Sequence, residues 1–146
     1  MKNIIFYLLI ALTYYKSNEQ CMRDYVKCVK KQIGKKYSND EEHFFKGPDI
    51  FNNPGLIFYC RLVAGFPLTR IIYLSYKNVK KPKIGAYVKG VLTDNGRMIT
   101  GDNLGVIVAL NPTTVVGGDP EKGVLTRHVL NPKKDYIRLE YIYLDD

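Results

Sequence analysis

Phe51-Asn52-Asn53-Pro54-Gly55-Leu56-Ile57-Phe58-Tyr59-Cys60 is the stretch on which the reading of this 146-residue chain turns. A polar residue stands directly before Pro-Gly and an apolar run, the pattern of a helix entered from a tight turn. The spacing predicts Asn53 as the N-cap, its side-chain oxygen accepting from an early helical N–H. Pro54 then occupies the first helical position, where its missing N–H costs nothing. A residue at such a corner sits at the positive end of the helix dipole, and a cysteine there would gain thiolate character. This chain has an asparagine instead.

Outward from that corner the pattern changes twice. Upstream, residues 21–33 place Met22, Tyr25, Val26, Val29 and Ile33 at helical spacing, with lysines on the opposite face. Residues 38–50 are polar and end in Gly47-Pro48, which reads as a loop. The run 55–64 is so uniformly apolar that a buried central helix is expected. Downstream the chain reads as strands: Ile71 to Tyr76, Ala86 to Leu92, Met98-Ile99, Gly105 to Leu110, Thr113 to Val116, Val124 to Leu130 and Tyr136 to Leu144. Asp94-Asn95-Gly96 is a strong hairpin signal. Helices followed by strands predict an α+β domain with N-terminal helices packed on an antiparallel β-sheet.

The order of these pieces resembles the NlpC-type cell-wall endopeptidases, papain-like cysteine peptidases that cut the peptide stems of peptidoglycan. Their nucleophile motif runs Phe-Asp-Cys-Ser-Gly-Leu into an apolar helix. This chain keeps Phe51, Gly55 and Leu56 but has Asn52, Asn53 and Pro54 at the three positions between. The helix over 22–33 and its exit Gly34-Lys35-Lys36-Tyr37 look like the family's first helix and Gly-x-x-Tyr. Gly65-Phe66-Pro67-Leu68-Thr69-Arg70 looks like the stretch after the nucleophile helix, with the proline displaced, and Pro82 to Val88 lacks the aspartate of the family's Pro-Gly-Asp turn. Asp102-Asn103-Leu104-Gly105-Val106-Ile107 resembles the family's His-Val-Gly-Ile strand, with Asn103 in place of the histidine. Val115-Val116-Gly117-Gly118 resembles the next strand, with Gly117 in place of the orienting polar residue.

The resemblance covers about residues 21 to 130. It implies a papain-like NlpC-type fold in which nucleophile, base and orienter are lost together. Asn53, Asn103 and Gly117 are then vestigial active-site positions, with Asn53 expected within side-chain reach of Asn103. Tyr37 and Asn52 become candidate cleft-lining residues.

Met1-Lys2-Asn3 followed by the apolar run Ile4 to Leu12 reads as a secretory signal, too short to span a bilayer comfortably. Ser17 is a small residue at a plausible cleavage position, with bulky Tyr15 against it. The expected organisation is a signal over 1–17 and one domain over 21–146, secreted or extracellular, with no transmembrane segment after the signal. Cleavage there removes Lys2 and Lys16, lowering the formal charge from +8 to +6. The remaining excess sits in Lys27, Lys30, Lys31, Lys35 and Lys36 and in Lys77, Lys80, Lys81 and Lys83. A basic surface favours polyanions. No nucleic-acid motif accompanies the charge, so no nucleic-acid partner is expected.

Cys21 and Cys28 are two helical turns apart, roughly 10 Å of rise, too far to bridge each other. Either could pair with Cys60 if the first helix packs on the second; the alternative is three buried thiols. No Cys/His spacing suggests a zinc site and no motif suggests a cofactor. Gly117-Gly118-Asp119-Pro120 lacks the lysine and helix of a phosphate loop. Cys60, two turns into the central helix, has no evident activation, and His43 and His128 stand in no recognised nucleophile motif.

The expected function is a secreted, catalytically inactive peptidase-like binding module for a peptidoglycan-like peptide, an acidic glycan or a protein ligand. The rival is an active cell-wall peptide hydrolase with an unrecognised nucleophile.

Overall fold

The computed structural model describes residues 16–40, 43–67, 76–94, 97–98, 102–130 and 136–144. Two helices, α1 (Asn18–Lys31) and α2 (Asn53–Val63), precede most of the sheet. The strands are β1 (Lys36–Tyr37), β2 (Ile50–Phe51), β3 (Tyr76–Val79), β4 (Tyr87–Asp94), β5 (Arg97–Met98), β6 (Asp102–Ala109), β7 (Thr114–Asp119), β8 (Val124–Val129) and β9 (Tyr136–Leu144). Their spatial order is β2-β1-β8-β7-β6-β4-β9-β3, with β5 paired to β4. Among the described residues, every strand pairing is antiparallel except that of the two-residue strands β1 and β2, which run parallel. That pair departs from the all-antiparallel expectation because the 38–50 loop carries the chain back before it re-enters the sheet edge. The Asp94↔Arg97 register leaves two residues between β4 and β5, as the hairpin signal requires. The strand expected from Ile71 lies outside the described residues up to Ser75, and β3 begins at Tyr76.

Both helices lie on one face of the sheet. Cys21, Tyr25, Val26, Cys28 and Val29 of α1 and Leu56, Ile57 and Cys60 of α2 meet Val106, Val108, Val116 and Leu125 from the strands. The alternation of β6 and β7 sends Ile107 and Val115 to the opposite face, where they join Ala86 and Val88 in a smaller cluster.

Helix α1 begins earlier and ends earlier than the apolar spacing suggested. Ser17 is its N-cap, its hydroxyl accepting from Gln20 N–H at 3.1 Å. The helix stops at Lys31, and Gln32 caps it, its amide donating to the Cys28 carbonyl at 3.1 Å. Ile33 is therefore outside the helix and 41% exposed. Periodicity alone could not detect this, since the break comes from backbone: Gly34 follows at φ +91°.

Helix α2 corrects a second expectation. It is two-faced rather than buried all round: Leu62 and Val63 are exposed, while Arg61 is 1% exposed. The Arg61 guanidinium lies 3.9 Å from the Phe66 ring centroid and 5.7 Å from that of Tyr25, so aromatic faces receive its charge. Burial pushes the Tyr25 hydroxyl far above its ordinary range.

Three contacts fasten α1 to α2. Cys28 and Cys60 form a disulfide across the helix pair, with Cα atoms 5.4 Å apart, which decides between the two cysteine readings; Cys21 remains a buried thiol. Lys16 Nζ donates to the Ala64 carbonyl at the end of α2 at 2.7 Å and pairs with Asp24 of α1 at 2.6 Å. The Lys16 ammonium holds the Asp24 carboxyl below its ordinary range. Lys16 and Ser17 thus supply the link to the end of α2 and the cap of α1. Among the described residues, no helix is long and apolar enough to cross a membrane.

Two stability measurements follow. The disulfide closes a loop of 32 residues, which predicts a loss of roughly 3–4 kcal/mol for the C28A/C60A pair on chain-entropy grounds. Urea unfolding should show the midpoint falling and the slope rising, because the unfolded chain without the crosslink exposes more surface. A chain starting at Asn18 should unfold about 1 kcal/mol more easily than one starting at Lys16, because it lacks the Ser17 cap. Equal midpoints would mean that the two N-terminal contacts contribute nothing.

Candidate functional site

The corner at the start of α2 is where the sequence places a nucleophile position, and its local geometry follows from two adjacent carboxamides. The cap is Asn52, not Asn53. Asn52 has extended backbone (φ −107°, ψ 174°), and its Oδ1 accepts from Gly55 N–H at 2.8 Å. Its Nδ2 donates to the His43 carbonyl at 3.1 Å, so both ends of the amide are engaged. Asn53 and Pro54 are the first two helical residues. The expectation slipped by one position because either asparagine can cap a helix, and proline is compatible with both the first and second positions of the first turn.

Freed from capping, the Asn53 side chain turns to the sheet. Its Oδ1 accepts from the Gly118 N–H of β7 at 2.9 Å, across 65 residues of sequence. Asn53 is 6% exposed. The Asn53 carboxamide is thus a tie between helix and strand.

The strands behind it approach closely because glycines face each other. A Cβ on Gly117 would overlap the Leu104 carbonyl oxygen, and one on Gly105 would overlap the Val116 carbonyl oxygen. Gly105 also holds φ +137°, a conformation that side chains disfavour. Position 117 therefore has no room for the polar side chain that would orient a base. A Cβ on Gly118 would run into the Tyr37 ring, so Tyr37 packs flat against the strand beside Asn53. Asn103 follows Asp102 on β6, paired through its backbone with Lys89 of β4, and precedes Leu104, which abuts Gly117. This puts Asn103 on the strand next to β7; its side chain lies outside the described residues, and so does the expected Asn53–Asn103 approach.

The corner is closed on its third side by the 43–47 loop. A Cβ on Gly55 would collide with the Phe45 carbonyl, and Asn52 N–H donates to that same carbonyl at 3.0 Å. His43 is exposed, with Nδ1 2.8 Å from Asp40 Oδ2 and its ring tilted against Phe45. His128 sits exposed on β8. Sequence reasoning missed the Asn53–Gly118 tie and the Asp40–His43 pair. The two consecutive asparagines and the two consecutive glycines were the only signals available for the first; nothing marks the second. Among the described residues, no group of three His, Cys, Asp or Glu side chains comes together that could hold a metal ion.

Chemically, this arrangement offers neutral acceptors where a thiolate would stand. A carboxamide is neither a nucleophile nor a base at neutral pH. Cys60 is committed to the disulfide, and Cys21 is 3% exposed in the core.

No family model matches this chain, and no curated protein does. Among solved structures it is similar to NlpC2 from Trichomonas vaginalis, with a TM-score of 0.61 and 15% identity over 89% of this chain and 48% of that one. It is also similar to NlpC1 from the same organism, with a TM-score of 0.60 and 17% identity over 88% of this chain and 47% of that one. The chain thus spans about half the length of each of these structures. At such identities the likeness is one of fold: this is an α+β domain of NlpC-like architecture.

Removing the tie has a defined consequence. Asn53→Ala leaves Gly118 N–H without its acceptor in a partly buried place, which should destabilise the chain by about 1–3 kcal/mol. Asn53→Asp keeps an acceptor oxygen and adds a charge favoured at the helix start, so it should lose less. Hydrogen exchange at Gly118 should accelerate in Asn53→Ala and not in Asn53→Asp. Unchanged exchange in the alanine variant would exclude the tie.

Proposed function

We propose that this chain is a secreted, catalytically inactive NlpC-like protein that serves as a binding module. The observation that carries the reading is Asn53. It occupies the position of the nucleophile in the resemblance, it is buried, and its oxygen is held by Gly118 N–H. The three roles of nucleophile, base and orienter act as a unit, and Asn53, Asn103 and Gly117 supply none of them.

The disulfide supports a compartment outside the cytosol, where thiols oxidise and stay oxidised. It also weakens the rival reading of an active cell-wall hydrolase with an unrecognised nucleophile. A disulfide-bonded Cys60 offers no thiolate. The Asp40–His43 pair lies at the surface, and no thiol or hydroxyl joins it in a hydrogen bond to the ring among the described residues.

Binding, on this reading, rests on surface rather than on the former cleft. Tyr37 covers Gly118, and the Asn52 amide is engaged at both ends. The ligand classes that fit a basic exterior are an acidic glycan, an acidic peptide such as a peptidoglycan stem, or a protein with an acidic face.

The test is turnover. Purified chain with peptidoglycan stem peptides should release no product, and a thiol-reactive probe should label nothing without prior reduction. Turnover that disappears in Cys60→Ala would overturn the reading in favour of the hydrolase. A second assay asks whether the corner can be re-armed. N53C/N103H should be labelled by the probe, since the helix dipole still favours a thiolate there. It should show little turnover, because Gly117 has no room for an orienting side chain and losing such a group costs about 10⁴-fold in a Ser-His-Asp enzyme. Rapid turnover by the double variant would show that the corner is organised for catalysis after all.

A further inference from the structure

The outward face of the helical layer combines two features. The first is an apolar ridge along α2. Phe44 is 54% exposed and stands edge-on against Phe58, with ring centroids 5.6 Å apart. Leu62, one turn after Phe58, is 48% exposed, and Val63 is 57% exposed. The second is positive charge beside that ridge. Lys46 Nζ is 5.6 Å from the Phe58 ring centroid. An open hollow of about 560 Å³ lies between α1 and α2, lined by Lys27, Lys31 and Lys35 together with Tyr59 and Val63.

The charge lining that hollow is predominantly positive, three lysines against one acid among the described residues. Asp24 also lines it, but Lys16 holds the Asp24 carboxylate at 2.6 Å. Among the described residues, no ion pair joins Lys27, Lys31 or Lys35 to an acid. Gln32, the other polar side chain there, already donates to the Cys28 carbonyl. The hollow lies at the far end of α2 from the corner, with Val63 ten residues, about 15 Å, along the helix from Asn53, and Phe44 stands at the near end in the 43–47 loop.

We propose that this face docks onto an anionic lipid bilayer. A bilayer carrying phosphatidylserine-type headgroups supplies both complements at once, with anionic groups at the depth of the lysines and hydrocarbon beneath them for the ridge. A soluble polyanion would satisfy the lysines and leave Phe44, Leu62 and Val63 in water. The exposed apolar side chains therefore decide the choice between the two. Lys27, Lys31 and Lys35 provide long-range attraction, and Leu62 and Val63 provide short-range insertion.

Sedimentation of the full chain with phosphatidylcholine vesicles, with and without phosphatidylserine, tests this. Binding is expected only to the anionic vesicles and should weaken as salt rises. K27E/K31E/K35E should weaken it by at least on the order of 100-fold, from the usual contribution per lysine near such a surface. L62S/V63S should weaken it as well. K80E/K81E/K122E changes the net charge equally at exposed positions outside this face and should bind as the parent does. Circular dichroism confirms that each variant is folded. Four outcomes would overturn the proposal. One is no anionic-vesicle binding. Another is equal loss in the control triple. The third is full binding by K27E/K31E/K35E, which would place attachment elsewhere, as in the apolar stretch 4–12. Unchanged binding by L62S/V63S, with polyglutamate competing fully, would assign the lysines to a soluble acidic partner instead.

Discussion

The hydrogen bond from Gly118 N–H to Asn53 Oδ1 fixes the start of α2 on the sheet. It joins the start of α2 to a strand in the middle of the sheet across 65 residues of sequence. Once that end is held, the apolar side of α2 lies on Val106 and Val116, and the disulfide at Cys60 can bring α1 down beside it. The remaining fastening, Lys16 to the Ala64 carbonyl, secures the opposite end of α2. A helix fixed at both termini can expose part of its flank without losing its position, which is why Leu62 and Val63 can face outward while Arg61 turns in.

On the proposed reading, the same corner shows how the fold can stand without a covalent nucleophile. A helix N-terminus presents unsatisfied N–H groups and a positive partial charge. A thiolate is one way to meet that demand. Here it is met by the Asn52 oxygen on Gly55 N–H, and the residue beside it is free to act as a strand tie. The glycine pair at 105 and 117 belongs to the same arrangement. It lets β6 and β7 approach so closely that a side chain at 117 has no space. On the proposed reading, the loss of chemistry is written into backbone packing as well as into the identity of one residue.

The broad architecture was legible because it rests on local signals. Helical spacing over Tyr25, Val26 and Val29 reflects which side of α1 meets the core, and the apolar run Val106 to Val108 between turn signals reflects a strand buried on both faces. The final strand, Tyr136–Leu144, was readable from its alternation and its Asn-Pro boundary. Where the reading slipped, two residues offered the same local chemistry. Asn52 and Asn53 both cap helices, and only the position of β7 assigns one to the cap and the other to the sheet. Ile33 continues the apolar period of α1, yet the Gly34 backbone ends the helix before it.

The sequence alone determined the α+β order of elements, the NlpC-like likeness, and the absence of a cysteine or histidine at positions 53 and 103, because residue identity and short-range periodicity are properties of the chain itself. Only the tertiary structure decided that Cys28 rather than Cys21 bridges to Cys60, that Arg61 is buried between aromatic rings, and that Asn53 is a tie rather than a cap. It also decided that Lys27, Lys31 and Lys35 surround one hollow beside Val63. Each of these depends on distances between residues far apart in the chain. Such distances are fixed by how the helices and sheet pack, and no local pattern encodes them.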